Sequence, residues 1–114
     1  MLIYKILTAT QWAALERDGA TAGAPVDQAD GFVHFSTGKQ VARTAAKHFA
    51  GQAGLMLLAL EAGRLGPALR WEPSRAGALF PHLYGALRRA DVAWARPLPL
   101  DPDGAHVFPG EVGT

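Results

Sequence analysis

The sequence predicts a single α+β domain, and three observations lead to that fold class. The chain has 114 residues, of which 49% are hydrophobic, and this is enough for one modest core and excludes a disordered chain. Two segments with helical caps and helical periodicity lie in its first half, whereas most later segments have the patterns of strands. This order does not suit a doubly wound parallel fold. We expect the domain to cover residues 1–108 and residues 109–114 to form a flexible tail.

The first elements are predicted to be a strand and a capped helix. Residues 2–7 alternate weakly and contain β-branched and aromatic side chains, which favour a strand. Thr8 then has the position of a helix N-cap, and Gln11 completes a capping box with it. The helix should cover residues 9–18 and end at Gly19, which allows a left-handed exit. Residues 21–30 contain Pro, Gly and Asp without periodicity, so we expect a loop there.

A second strand and a second helix are predicted next. Residues 31–36 alternate in polarity, which places Phe32, His34 and Ser36 on one face of a strand. Ser36 or Thr37 is expected to cap a helix over residues 38–50. An apolar stripe recurs along this helix every four residues: Val41, Ala45, Phe49. A basic stripe with the same spacing lies beside it: Lys39, Arg43, Lys47.

The second half of the chain is predicted to be mostly strand. Residues 55–60 are continuously apolar, which indicates a central, buried strand. We expect a loop over residues 74–79, an extended segment over residues 80–85 and a turn at Asp-Pro-Asp-Gly over residues 101–104. Three further short strands are predicted, bounded by Pro or Gly: residues 69–72, 92–100 and 105–108.

Composition excludes several functional classes. The 11 Lys and Arg residues nearly balance the 10 Asp and Glu residues, which argues against a general nucleic-acid binder. Arg88 and Arg89, with the basic stripe, leave RNA as a weaker alternative partner. The absence of cysteine excludes disulfides, zinc–thiolate sites and thiol catalysis, and the spacing of the four histidines predicts no metal site. Without a signal peptide or a bilayer-spanning run, we expect a cytoplasmic protein with no membrane partner.

Polar and aromatic side chains alternate in three short segments of the predicted strands. The residues concerned are His34 and Ser36, then Arg70 and Glu72, and finally Phe80, His82 and Tyr84. If these segments are neighbours, their side chains converge in one cleft, as in many small-molecule sites. The alternative is structural: each histidine serves as a hydrogen-bonded core residue, and Arg70 and Glu72 form an ordinary cross-strand charge pair.

Three strings of residues resemble a small bacterial family catalogued as domain of unknown function 952. They are Asp-Gly-Phe-Val-His-Phe-Ser-Thr at 30–37, Leu-Arg-Trp-Glu at 69–72 and Phe-Pro-His-Leu-Tyr-Gly at 80–85. The resemblance extends over about residues 2–103. This family is in turn similar to the ADP-ribosyltransferase superfamily. That resemblance implies a split two-sheet β core, with NAD bound in the cleft between the sheets.

The same resemblance implies roles for the site residues. His34 looks like the histidine that holds the nicotinamide-side ribose, and Glu72 is the nearest match to the catalytic carboxylate. Tyr84 is similar to the aromatic residue that stacks on nicotinamide, with Phe80 as a second wall. Ser36 is an implied binding residue on the same face as His34, and His82 with Arg70 would suit a relative that holds the pyrophosphate or a 2′-phosphate. NAD would be the substrate, and no metal is needed.

Two alternatives stand beside this hypothesis. One is a non-catalytic module that binds a nucleotide or a phosphorylated metabolite on the same scaffold. The other is a small hydrolase that uses His34 and His82 as acid and base, which requires both imidazoles to face one pocket. In each case the expected partner is a small molecule, and the oligomeric state is left open.

Overall fold

The computed structural model describes residues 1–74 and 77–113. This part of the chain contains three α-helices, all in its first half, and nine strands. The α+β class is confirmed. The helices are α1 (Ala9–Asp18), α2 (Pro25–Asp30) and α3 (Val41–His48). The first five strands are β1 (Leu2–Thr8), β2 (Ala20–Thr21), β3 (Val33–His34), β4 (Ser36–Thr37) and β5 (Leu55–Glu61). The other four are β6 (Leu69–Pro73), β7 (Leu79–Leu83), β8 (Leu87–Arg88) and β9 (Val92–Leu98).

The strands form three antiparallel sheets instead of the two that were predicted. A four-stranded sheet has the order β4-β1-β5-β9, and a three-stranded sheet has the order β3-β7-β6. The third sheet is the pair β2-β8, in which Ala20 and Thr21 lie opposite Arg88 and Leu87. Two residues a strand are too few for a periodic pattern, so this pairing left no mark on the sequence.

The N-terminal strand and helix have the predicted bounds to within one residue. Thr8 Oγ1 accepts a hydrogen bond from the Gln11 backbone N at 3.1 Å, and Gln11 Oε1 accepts one from Thr8 N at 2.9 Å. The predicted capping box is therefore confirmed. Gly19 ends α1 with φ of 78°, in the left-handed region that favours glycine.

The loop predicted over residues 21–30 is wrong, because α2 occupies its second half. Pro25 stands in the first turn of this helix, where its missing N–H costs nothing. The Asp27 carboxylate accepts a hydrogen bond from the Ala24 backbone N at 2.7 Å and so caps the helix from within. A six-residue helix is too short to develop an apolar stripe, and its one buried side chain is a carboxylate.

The strand predicted over residues 31–36 is divided between two sheets. His34 in β3 pairs with His82, whereas Ser36 in β4 pairs with Tyr4. Phe35 lies between them, buried, and its backbone N donates to the Pro81 carbonyl at 3.0 Å. Because β4 covers only Ile3 and Tyr4, the rest of β1 has no partner strand on that side within the described residues.

The second predicted helix is shorter than expected, and its predicted cap is wrong. Helix α3 covers Val41–His48, and Gln40 takes the N-cap position without a side-chain cap bond. Neither Ser36 nor Thr37 can cap it, because both are held in β4. The apolar stripe is confirmed, since Val41 and Ala45 are buried.

The core lies on both faces of the four-stranded sheet, and β5 is central as predicted. On one face, Ile3 and Leu7 pack with Leu15 of α1 and Val33 and Leu83 of the three-stranded sheet. On the other face, Tyr4, Ile6, Leu57 and Leu98 pack with Val41 and Ala45 of α3. This arrangement leaves room between the two larger sheets beside the open part of β1.

The C-terminal part follows the prediction with one correction. The turn over residues 101–104 is confirmed by the hydrogen bond from Gly104 N to the Asp101 carbonyl at 3.0 Å. The strand predicted over residues 105–108 is only an isolated bridge between Leu100 and His106. Beyond it, Val112 packs against the core. The predicted loop over residues 74–79 includes residues 75 and 76, which lie outside the described residues.

Within the described residues, no helix has both the length and the apolar content needed to cross a bilayer.

Candidate functional site

The three-stranded sheet brings the three polar segments side by side, as predicted. His34, His82 and Arg70 lie in one row across β3, β7 and β6, because His82 is the register partner of both others. Glu72 is opposite Phe80 in the next row of the same face. The opposite face presents Val33, Leu83 and Leu69 to the core. Period-2 alternation therefore separates an apolar face from a polar one.

Phe32 lies at the centre of the side chains on the polar face. Its ring stacks on His82 with a centroid distance of 4.2 Å and also contacts His34 at 4.5 Å and Tyr84 at 5.1 Å. The two imidazole centroids are 5.4 Å apart. Phe32 was predicted to share a face with His34 but was not recognised as a site residue. Phenylalanine carries no polar group that would mark it in a sequence.

Glu72 accepts two hydrogen bonds on one carboxylate oxygen. His82 Nδ1 lies 2.9 Å and the Tyr84 hydroxyl 2.8 Å from Glu72 Oε1. The bonds from His82 and from Tyr84 hold the pKa of Glu72 below its ordinary value. The bond to Glu72 in turn raises the pKa of Tyr84. Because an ionised carboxylate only accepts, His82 donates to it from Nδ1.

The Arg70 guanidinium covers the ring of Tyr84, with its central carbon 4.7 Å from the ring centroid. This is a cation–π contact. Together with Phe32 and the hydroxyl bond to Glu72, it fixes the Tyr84 side chain on three sides.

His34 is held between two carboxylates. Its Nδ1 lies 2.6 Å from Asp27 Oδ1, and its Nε2 lies 2.9 Å from Asp30 Oδ2. Both acids come from α2, the helix that the sequence did not predict. When both carboxylates are ionised, each can only accept, so the ring donates from both nitrogens in this arrangement.

Asp27 is fully buried and anchors this part of the site. Lys5 Nζ donates to both of its oxygens, at 2.8 and 3.0 Å, and the backbone N of His34 donates to Oδ1 at 3.0 Å. Burial acts to raise the pKa of Asp27, but the charge of Lys5 and the hydrogen bonds from Lys5 and His34 outweigh it and hold the pKa below its ordinary value.

The sequence analysis missed both Lys5 and Asp27. One available signal was the position of Lys5 in the middle of a strand, between Tyr4 and Ile6, where a buried cation requires a partner. No local pattern pointed to Asp27, which lies in a segment that looked like a loop.

A cavity of about 610 Å³ lies between the two larger sheets, beside the open part of β1. Four of the predicted binding residues line it: His34, Ser36, Phe80, His82. The other three predicted residues, Arg70, Glu72 and Tyr84, lie outside its wall, and Glu72 bonds to His82, which lines it. Helix α2 contributes Asp30 to the wall, α3 contributes Lys47, and β1 contributes Lys5. Ser36 Oγ is 2.8 Å from Thr44 Oγ1, which ties the strand to α3.

The cavity combines groups suited to a polar organic ligand. Ammonium groups and imidazoles can hold phosphate or hydroxyl groups, and Phe80 and Phe35 supply apolar walls. Among residues 1–74 and 77–113, no three His, Cys, Asp or Glu side chains are grouped so that they could bind a metal ion.

Comparison with known proteins identifies relatives but no activity. The family model described as "Protein of unknown function (DUF952)" matches residues 6–95. The crystal structure of protein CC0527 from Caulobacter crescentus is similar, with a TM-score of 0.90, 51% identity and 94% of each chain covered. The solution NMR structure of CC0527 gives a TM-score of 0.83 and 53% identity, over 91% of this chain and 90% of that one. None of the curated proteins matches the chain.

Proposed function

This chain belongs to the DUF952 family of proteins of unknown function, and from the geometry of its site we propose that it binds NAD or a related nucleotide as an ADP-ribosyltransferase-like domain. One observation carries the proposal. The cavity between the sheets, about 610 Å³ in volume, is lined by His34, Ser36, Phe80 and His82, whose alternation had suggested a small-molecule site and to which the family resemblance had given roles in binding NAD. Its volume is within the usual range for ligand pockets, roughly 300–1,000 Å³.

The charged groups of the cavity suit a ligand with a pyrophosphate. Lys5 and Lys47 both line the wall, and Lys5 is already held by Asp27. Lys47 is exposed, and within the described residues no carboxylate forms an ion pair with it. We therefore assign the phosphates to Lys47 and the ribose hydroxyls to Ser36.

The proposed reaction is cleavage of the bond between nicotinamide and ribose. This cleavage develops positive charge on the sugar, as glycoside hydrolysis does, and a nearby carboxylate stabilises that charge. Asp30 lines the cavity beside His34 and is placed for this role. Glu72 lies outside the wall and would support the reaction by holding His82.

Titration with NAD tests the proposal directly. We expect the amide signals of cavity residues such as Ser36 and Thr44 to shift as NAD is added to isotope-labelled protein. The variant Lys47→Gln should weaken binding about fivefold, the loss of one exposed charge contact. Lys39→Gln is the matched control, because Lys39 belongs to the same basic stripe but does not line the cavity. No shift up to millimolar NAD would refute the proposal.

A second candidate is a binding module without turnover, and one observation favours it. Both nitrogens of His34 already have carboxylate partners, so this ring is held in place and is poorly suited to move protons. The same observation weighs against a hydrolase that uses His34 and His82 as an acid–base pair. Binding of NAD without release of nicotinamide would favour the module.

A further inference from the structure

The two imidazoles in the cavity wall differ in which nitrogens have partners. His34 has a carboxylate at each nitrogen, Asp27 at Nδ1 and Asp30 at Nε2. His82 has only Glu72, at Nδ1, and no hydrogen bond joins its Nε2 to any residue in the described ranges. His82 is buried, and it lines the cavity although its partner Glu72 does not. The Nε2 atom of His82 is therefore the ring atom available to a ligand.

The charges around the two rings also differ. His34 faces two carboxylates, Asp27 and Asp30. His82 faces Glu72 and the Tyr84 hydroxyl on one side, Arg70 across the strand pair, and His34 at 5.4 Å. Because Nδ1 of His82 donates to the Glu72 carboxylate, Nε2 is the ring atom that can accept a proton from a ligand.

Building on the proposed function, we infer that His82 Nε2 is the general base of the site and that the acceptor of the ADP-ribosyl group is a hydroxyl, either of water or of an alcohol. Glu72 is then a positioning residue, because it fixes the tautomer and the orientation of the His82 ring. A base suits a hydroxyl acceptor because that group must lose a proton as it attacks. Carboxylate and phosphate acceptors are already ionised at neutral pH, so they need no base to remove a proton.

The reaction step is balanced. The acceptor oxygen forms a bond to the anomeric carbon of the ribose, and the bond from that carbon to the nicotinamide nitrogen breaks. The bonding electron pair leaves with nicotinamide, which turns from a cationic ring into a neutral one. The hydroxyl proton goes to His82 Nε2 and later to solvent. No oxidant, reductant or metal takes part.

The first arm of the test needs no ligand. Ring-nitrogen NMR shifts report which imidazole nitrogens carry protons. If His82 is the base, we expect its ring to carry a proton on Nδ1 and none on Nε2. A His82 ring protonated on both nitrogens, or on Nε2 alone, would overturn the assignment of the base.

The second arm follows nicotinamide release from NAD in water and in water containing methanol. We expect ADP-ribose in the first case and additional methyl ADP-ribose in the second. His82→Gln should reduce the rate about 100-fold or more, with NAD affinity changed less than about threefold. The control His106→Gln should keep the full rate, because the His106 side chain bonds the Gln52 carbonyl and lies outside the cavity.

The outcomes separate this inference from the proposed function. Failure of NAD to bind overturns both. Binding without nicotinamide release in either solvent, or an unchanged rate in His82→Gln, overturns the inference and leaves nucleotide binding in place. Glu72→Gln should lower the rate and alter its pH profile while leaving NAD affinity unchanged, which a merely structural loss at Glu72 would not do.

Discussion

The oxygen Oδ1 of Asp27 accepts two hydrogen bonds from His34, one from the backbone N at 3.0 Å and one from ring Nδ1 at 2.6 Å. This double contact fixes α2 to β3 and sets the direction of the imidazole ring at once. Lys5 completes the arrangement from β1, so three elements meet at one buried carboxylate. The stability of the fold and the geometry of the site are therefore coupled through Asp27.

Removing the charge of Asp27 should destabilise the protein strongly. In Asp27→Asn the Lys5 ammonium, which is 7% exposed, loses its charge partner, and such losses cost about 3–5 kcal/mol. Thermal or urea unfolding measures this change. The control is Asp18→Asn, which breaks an exposed ion pair with Arg17 and should leave the midpoint unchanged. Equal effects in the two variants would contradict the buried role of Asp27.

The double variant Lys5→Met/Asp27→Asn removes both charges of the same pair, so no buried charge is left without a partner. Asn retains an oxygen that can accept from the backbone N atoms of Ala24 and His34. We expect this double variant to be more stable than Asp27→Asn alone, because methionine removes the unpaired ammonium. A double variant less stable than the single one would show that Lys5 acts otherwise than as the partner of Asp27.

Acid should unfold the wild type through Asp27. The pKa of Asp27 is lower in the folded state than in the unfolded chain, so folding favours its ionised form. The resulting stability is complete above the unfolded pKa, about 4, and is lost as pH falls through the lower folded value. Stability measured between about pH 5 and pH 2 should fall less steeply in Asp27→Asn than in the wild type. Equal slopes in the variant and the wild type would mean that other carboxylates cause the loss of stability in acid.

Much of the fold could be predicted because its signals are local. The capping box of Thr8 and Gln11, the left-handed Gly19 and the apolar β5 all depend on neighbours in sequence. The change from the three-stranded to the four-stranded sheet at Phe35 could not be predicted. The residues of β3 and β4 follow one alternating pattern, and only their pairing with different strands separates them. The missed helix α2 is stabilised by the contact between Asp27 and Lys5, which no window of the sequence contains.

The predictions for the site likewise succeeded where the signal was local and failed where tertiary contacts decide. Period-2 alternation placed polar side chains on a shared face within each segment, and the register of the three-stranded sheet puts His34, His82 and Arg70 in one row. Alternation does not say which side chains reach a cavity, so it could not separate Arg70, Glu72 and Tyr84 from the residues of the wall. Asp30 was missed because its contact with His34 depends on the turn of α2.

Glu72 and Tyr84 should titrate as a coupled pair. The hydrogen bond from Tyr84 lowers the pKa of Glu72, and the bond to Glu72 raises the pKa of Tyr84. In Glu72→Gln the pKa of Tyr84 should fall back toward its ordinary value of 10.0, as followed by tyrosinate absorbance. In Tyr84→Phe the pKa of Glu72 should rise, as followed by carboxyl NMR. Unchanged values in both variants would mean that the bond does not form in solution.

The capping box should contribute measurably to stability. Thr8→Ala removes the oxygen that accepts from Gln11 N, and the loss of such a cap costs about 1 kcal/mol. For a domain of this size, that corresponds to a lowering of the melting temperature by several degrees. Thr10→Ala is the matched control, because Thr10 is an exposed residue inside the helix and alanine has the higher helix propensity. A loss in Thr10→Ala as large as in Thr8→Ala would contradict the cap.

Alanine substitutions at Gly23 and Gly54 separate the effect of a clash with Asp27 from the effect of backbone strain alone. Both glycines have positive φ, 98° and 73°, so alanine costs about 1–2 kcal/mol at either position. At Gly54 a Cβ atom meets nothing within 4 Å, whereas at Gly23 it would clash with Asp27 Oδ2. That contact is too short to persist, so Asp27 must move away from Lys5 and His34. Gly23→Ala should therefore lower the melting temperature more than Gly54→Ala and alone alter the His34 ring signals, and equal behaviour of the two variants would contradict this coupling.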